Sequence, residues 1–176
     1  MISKIKIKAL LVLILSFVLA GCAVNYSEIK ISKLRQMAES GDTEAQVNYG
    51  NALFFGDGVP ASKDEAFKYY MMAAKAGNRV AQYYVGNAYY TGIGAEHNLQ
   101  ESKRWYHTAA DNGYAPAYSA LAKVIYRTAE SEQQICEVFY WYRKAELADV
   151  NSIPSHYFDM KKKLIKLCGD VEENER

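Results

Sequence analysis

The chain has 176 residues, 21 of them basic and 20 acidic, for a formal charge of +1, and 15 are tyrosines. That length bounds it to a single domain with one continuous core. The near-balanced charge gives none of the basic footprint that a nucleic-acid binder carries, which removes nucleic acid from the expected partners.

In chain order, Lys4, Lys6 and Lys8 come first, followed by an apolar stretch from Ala9 to Ala20. The stretch is too short to span a bilayer and has the form of a secretory signal. It closes in Leu19-Ala20-Gly21-Cys22, which resembles the lipobox of bacterial lipoproteins. The resemblance implies that 1–21 is a signal peptide cut before Cys22, that Cys22 carries acyl (palmitate-type) chains on its sulfur and new amine, and that these anchor the protein in the membrane. Each buried methylene contributes about 0.8 kcal/mol, so several chains hold stably. Ala23, where an inner-membrane lipoprotein would have Asp, implies the outer membrane, with the domain facing the periplasm. Cleavage removes three lysines and no acid, leaving 18 basic against 20 acidic residues. The tether, 22–27, spans at about 3.3 to 3.6 Å per residue no more than roughly 20 Å. The domain is therefore expected close to the bilayer, which favours partners that reside in the membrane or come to attack it.

Residues 28–41 read as a lone N-terminal capping helix, from Glu28 to Ser40, and a 36-residue period then begins. Gly41, Gly77 and Gly113 are in register, as are Ala45, Ala81 and Ala117, then Tyr70, Tyr106 and Tyr142, then Ala73, Ala109 and Ala145. Periods of this size mean stacked helical pairs. Units fall at 42–77, 78–113 and 114–150. Each opens with a helix rich in Ala and Tyr, and in the first two units that helix ends at a Gly-x-Gly turn, Gly56 with Gly58 and Gly92 with Gly94. A second helix follows, with Ser62 and Glu65, then Asn98 and Glu101, spaced as capping boxes, and Glu137 in that place in the third unit. Small residues at Gly50, Gly86 and Ala122 allow the two helices to approach, while the Trp and Tyr pairs fill the space between units. Pro116 suits a first helical turn. Thr128 and Glu130 replace the paired glycines of the third unit, so a longer, looser turn is expected there. Residues 151–169 read as a C-terminal capping helix from Ser155 to Leu167, stopped by Gly169, with Lys161, Lys162, Lys163 and Lys166 as its solvated face. The remainder, 170–176, is an acidic tail.

The best-kept unit runs through Ala81, Gly86, Tyr89, Gly92, Gly94, Ser102, Trp105, Tyr106, Ala109, Ala110 and Gly113. It resembles the Sel-like repeat (SLR) family, longer relatives of tetratricopeptide repeats. The first unit matches at Ala45, Gly50, Gly56, Gly58, Ala66, Tyr70, Ala73, Ala74 and Gly77, and the third keeps Ala117, Ala122, Trp141, Tyr142, Lys144 and Ala145. The resemblance covers about Ser32 to Val150. It implies an all-α fold, a right-handed α-solenoid of helix-turn-helix repeats, and a non-enzymatic protein that binds other proteins on its concave face. Small SLR lipoproteins include immunity proteins that neutralise phospholipase toxins delivered to the periplasm by type VI secretion, others are adaptors in envelope assembly or signalling, and a cell-wall-ligand binder or hydrolytic enzyme is the minor alternative that the resemblance leaves. The small size of the chain and the short tether favour the immunity reading.

With Cys22 used for lipid, Cys136 and Cys168 remain in an oxidising compartment. If they lie on antiparallel last helices, equal arm lengths bring them to one end of the hairpin, where a disulfide would contribute about 3 to 4 kcal/mol in the chain-entropy model. Two buried free thiols are the alternative.

Residues that vary between units at equivalent outward positions are the binding candidates. Positions 47, 51, 54 and 55 form one stripe, giving Val47, Asn51, Phe54 and Phe55, then Tyr83, Asn87, Tyr90 and Thr91, then Ser119, Lys123, Tyr126 and Arg127. Tyr83, Tyr90, Tyr126 and Arg127 are the expected anchors, because tyrosine and arginine are enriched at interfaces. Packing between helices is the competing role for Phe54, Tyr90 and Tyr126. No catalytic residues emerge. Ser27-Glu28-Ile29-Lys30 spells S-x-x-K without its partner motifs, His97, His107 and His156 have no metal-ligand spacing, and the Gly-x-Gly turns follow helices rather than strands. No cofactor, metal or small-molecule substrate is expected.

Overall fold

Alanine at the contact points and tyrosine in the gaps set how this chain packs. The computed structural model describes residues 26–148 and 155–169. Cys22, the lipobox and the acidic tail lie outside them. The described residues form helices α1 (Tyr26–Glu39), α2 (Thr43–Phe55), α3 (Lys63–Lys75), α4 (Arg79–Thr91), α5 (Leu99–Asp111), α6 (Pro116–Thr128), α7 (Glu132–Ala148) and α8 (Ser155–Cys168). No strand occurs among them, and each helix packs on the next in sequence. The fold is an all-α solenoid.

Local signals explain the boundaries. Asp42 caps α2 by accepting from the backbone N–H groups of Glu44 and Ala45, and Asn78 caps α4 in the same way. Gly56 and Gly92 end α2 and α4 at φ 79° and 73°, a left-handed conformation that costs glycine nothing. Ser62 and Asn98 cap the second helices, but only half of each expected box is seen: the Glu101 carboxylate accepts from Arg104 instead (2.6 Å). Pro116 is the first residue of α6.

Within each of the first two units the paired helices meet at a glycine and a tyrosine. A Cβ on Gly50 would stand 2.6 Å from the Tyr70 ring, and one on Gly86 the same distance from Tyr106. The tyrosine hydroxyls then donate to Asn51 (2.8 Å) and Asn87 (2.5 Å). Burial holds both phenols well above the usual tyrosine pKa. Between successive units, the Gln46 amide donates to the Ala38 carbonyl and Gln82 to that of Ala74, while within the second unit Ser102 Oγ donates to the Gly86 carbonyl of α4. Two buried clusters result, one around Leu53, Tyr70 and Val85, the other around Tyr106, Leu121, Ile125, Phe139 and Tyr142.

The third unit departs from the expected turn. Only residues 129–131 separate α6 from α7, whereas seven residues lie between the helices of the other units. The turn is shorter, because Ser131 and Gln134 supply a capping box one turn early: Gln134 N–H donates to Ser131 Oγ, and Gln134 Oε1 accepts from the Glu130 and Ser131 backbones. Glu137 thus lies inside α7, 3.7 Å from Lys103, and not at a cap.

Helix α8 covers the end of the stack through Tyr157 and Leu164, while Phe158 and Ile165 are exposed. Cys136 and Cys168 are bonded, with Sγ–Sγ 2.06 Å and Cα–Cα 5.4 Å. Lys161 leaves the exposed basic row to bind Glu146 (2.6 and 2.9 Å), which Arg143 also bonds (3.0 Å). Burial raises the Glu146 pKa, but the two cations outweigh it and hold the carboxyl below its usual value.

Candidate functional site: a groove across the first helices

The 36-residue period repeats a helix face in each unit, so residues 51, 54 and 55 of α2 reappear as 87, 90 and 91 of α4 and as 123, 126 and 127 of α6. On a helix these positions form one stripe. Val47, the fourth member on α2, is buried at 7% exposure and belongs to the core instead.

Between α2 and α4 the stripe bounds a cavity of about 260 Å³. It is lined by Asn51, Phe54 and Phe55 of α2, by Tyr84, Asn87, Ala88 and Thr91 of α4, and by Tyr70 of α3. Ile93, in the turn after α4, and Phe67 and Lys63 of α3 complete it. Across α2, a hollow of about 850 Å³ opens between α1 and α2, lined by Ile31, Leu34, Met37, Lys30 and Lys33 from α1 and by Asn51 and Phe55 from α2. Phe55 therefore borders both spaces and is 75% exposed, far more than an aromatic ring needs for packing alone. Lys63 Nζ donates to the Phe54 carbonyl and sits 3.8 Å from the centroid of the Phe54 ring.

Farther along, α4 packs directly on α6, and the stripe changes character. The Arg127 guanidinium donates to the Tyr90 hydroxyl (2.9 Å) and lies 5.3 Å from the ring centroid, and Lys123 Nζ lies 5.2 Å from it. Burial raises the Tyr90 pKa, but Arg127 and Lys123 outweigh it and leave the phenol below its usual value. Tyr126 is 46% exposed beside them.

The structure sorts the sequence candidates into three groups. Phe54 and Phe55 with Asn51 and Asn87 surround the cavity, although both asparagine oxygens already accept from buried tyrosines. Tyr90, Lys123, Tyr126 and Arg127 form a cationic end. Tyr83 joins neither: its ring packs against Tyr84, Tyr106 and Tyr114 at centroid distances of 5.3 to 5.9 Å, so it fills the interior between units. Sequence reasoning missed Lys63, Phe67, Tyr84, Ile93 and Met37. Lys63 and Phe67 stand on a second helix, and Ile93 is the middle residue of a Gly-x-Gly turn, so a search confined to the first helices passes over them.

Among the described residues no three His, Cys, Asp or Glu side chains gather to hold a metal ion, and no helix is long and apolar enough to cross a membrane. His107 pairs with Asp111 at 2.8 Å on the exposed side of α5.

Comparison with known proteins agrees with the architecture. The family model described as Sel1 repeat matches residues 43–78, 79–114 and 139–149. No curated protein matches the chain. Among solved structures, a protective antigen present in uropathogenic Escherichia coli strains, displaying an SLR fold, superposes with TM-score 0.68 at 27% identity over 79% of this chain. A Sel1 repeat protein from Oxalobacter formigenes superposes with TM-score 0.58 at 26% identity over 65% of it. This chain spans 29% and 46% of those two proteins.

Proposed function

Because this chain is a Sel1-repeat protein, we propose that it acts without catalysis, by binding another protein along the stripe of α2, α4 and α6. The observation that carries the reading is Phe55, 75% exposed between two hollows. An aromatic side chain held beside a preformed apolar cavity is the usual make-up of an interface hot spot.

The more specific proposal places the protein at the outer membrane. Cys22 carries the lipid anchor, the few residues between it and α1 keep the domain beside the bilayer, and the partner is a toxin that reaches the periplasm, of the phospholipase kind. What supports this is the lipobox-like Leu19-Ala20-Gly21-Cys22 and the short tether after it. A lipid-attacking partner would meet a domain whose first helix is tethered within roughly 20 Å of the bilayer.

Crosslinking in cells, affinity purification and mass spectrometry test the proposal, comparing wild type with a Phe55→Ala, Lys123→Ala, Arg127→Ala variant. All three side chains are exposed, so the variant should fold normally. The expected result is one partner lost from the variant, and restored growth when wild type is expressed with that partner. A partner kept by the variant refutes the groove. An envelope-assembly protein in place of a toxin converts the immunity reading into an adaptor.

A further inference from the structure

The groove is not neutral, although the chain as a whole nearly is. Lys30 and Lys33 line the hollow between α1 and α2, Lys63 lines the cavity, and Lys123 and Arg127 continue the stripe on α6, while Asp57 is the one acid lining either space among the described residues. Lys123 and Arg127 are held against the Tyr90 phenol, and no carboxylate among the described residues pairs with either. A phenol orients two cations without cancelling their charge.

We propose, building on the protein-binding reading above, that the groove takes an extended acidic segment of its partner. One apolar side chain of that segment enters the cavity beside Phe55, and a carboxylate a few residues along reaches Lys123 and Arg127. Spacing supports the pairing. Arg127 bonds Tyr90, the neighbour of the cavity residue Thr91, so apolar and cationic subsites are about one helix spacing, 8 to 10 Å, apart. Extended chain advances about 3.3 Å per residue, which puts the acid roughly three residues from the apolar anchor. Arginine presents a two-donor fork suited to a carboxylate, and the Tyr90 bond holds it ready. Charge complementarity of this kind sets both register and partner choice.

A random dodecapeptide library displayed on phage and selected on the purified chain tests the inference without knowledge of the partner. Enriched peptides should share an apolar residue with Asp or Glu about three positions away. A synthetic peptide of that class should bind the Lys123→Glu, Arg127→Glu variant at least ten-fold more weakly, and should recover when its acids are replaced by lysine. Phe55→Ser should weaken binding of both versions. Enrichment without acids, or equal affinity for the charge-reversed variant, overturns the inference while leaving the protein-binding reading intact. Failure of any peptide to enrich, together with an empty crosslinking experiment, removes both. Binding confined to vesicles of anionic phospholipid would show instead that the basic face meets the membrane, and would also overturn it.

Discussion

Reducing the Cys136–Cys168 bond should loosen α8 while α2 to α5 keep their structure. The bond joins residues 32 apart in sequence, a loop for which the chain-entropy model gives about 3 to 4 kcal/mol. At 1.4 kcal/mol per factor of ten, that is a shift of several hundred-fold in the opening equilibrium. The loss should be local, because solenoid stability is close to a sum of units and nearest-neighbour contacts. Beyond the disulfide, α8 is held through buried Tyr157 and Leu164 and the Lys161–Glu146 ion pair, and it packs chiefly on α7. Hydrogen exchange followed by mass spectrometry, with and without a thiol reductant, gives the readout, and a Cys136→Ala, Cys168→Ala variant controls for the reductant. Backbone amides of α8 should lose protection by two orders of magnitude or more, with α2 to α5 unchanged. Unaltered α8 protection, or an even loss along the whole chain, would refute the reasoning.

Gly86→Ala should destabilise by about 1 to 2 kcal/mol in denaturant titration: the new Cβ meets the Tyr106 ring at 2.6 Å, and overpacking outweighs the gain in helix propensity. The Glu146 carboxyl titrates below its ordinary value of 4.5 when folded, so its stabilisation is complete above that pH and fades as pH falls through the lower folded value. Glu146→Gln should therefore flatten the acid side of a stability–pH curve, leaving the neutral plateau lower. Tyr70, Tyr106, Tyr142 and Tyr157 are all raised by burial, Tyr142 to about 12. The unfolded phenols ionise from about pH 10 while the folded ones stay neutral, so stability should drop steadily above pH 10, measured by circular dichroism with tyrosine ionisation followed at 295 nm.

The 36-residue period and its small and aromatic positions were enough to read the helix pairs, the glycine stops and the close approaches at Gly50 and Gly86, because each rests on short-range chemistry repeated at fixed spacing. Even so, the third unit misled. Matching Thr128 and Glu130 to lost glycines suggested a loose turn, yet Ser131 and Gln134 were present as an S-x-x-Q cap, and a local cap outweighs the register of a repeat. The stripe of candidate residues was also legible, but not its division of labour. Tyr83 and Tyr90 hold similar places in the sequence pattern. One ring turns into the gap filled by Tyr106 and Tyr114, and the other takes two cations from α6. Sequence determined which faces recur, because a period fixes direction around a helix. Only tertiary structure decided which side chains those faces bury, tie up or leave open, because that depends on residues of neighbouring helices, such as Lys63 and Tyr84, that no single-helix pattern contains.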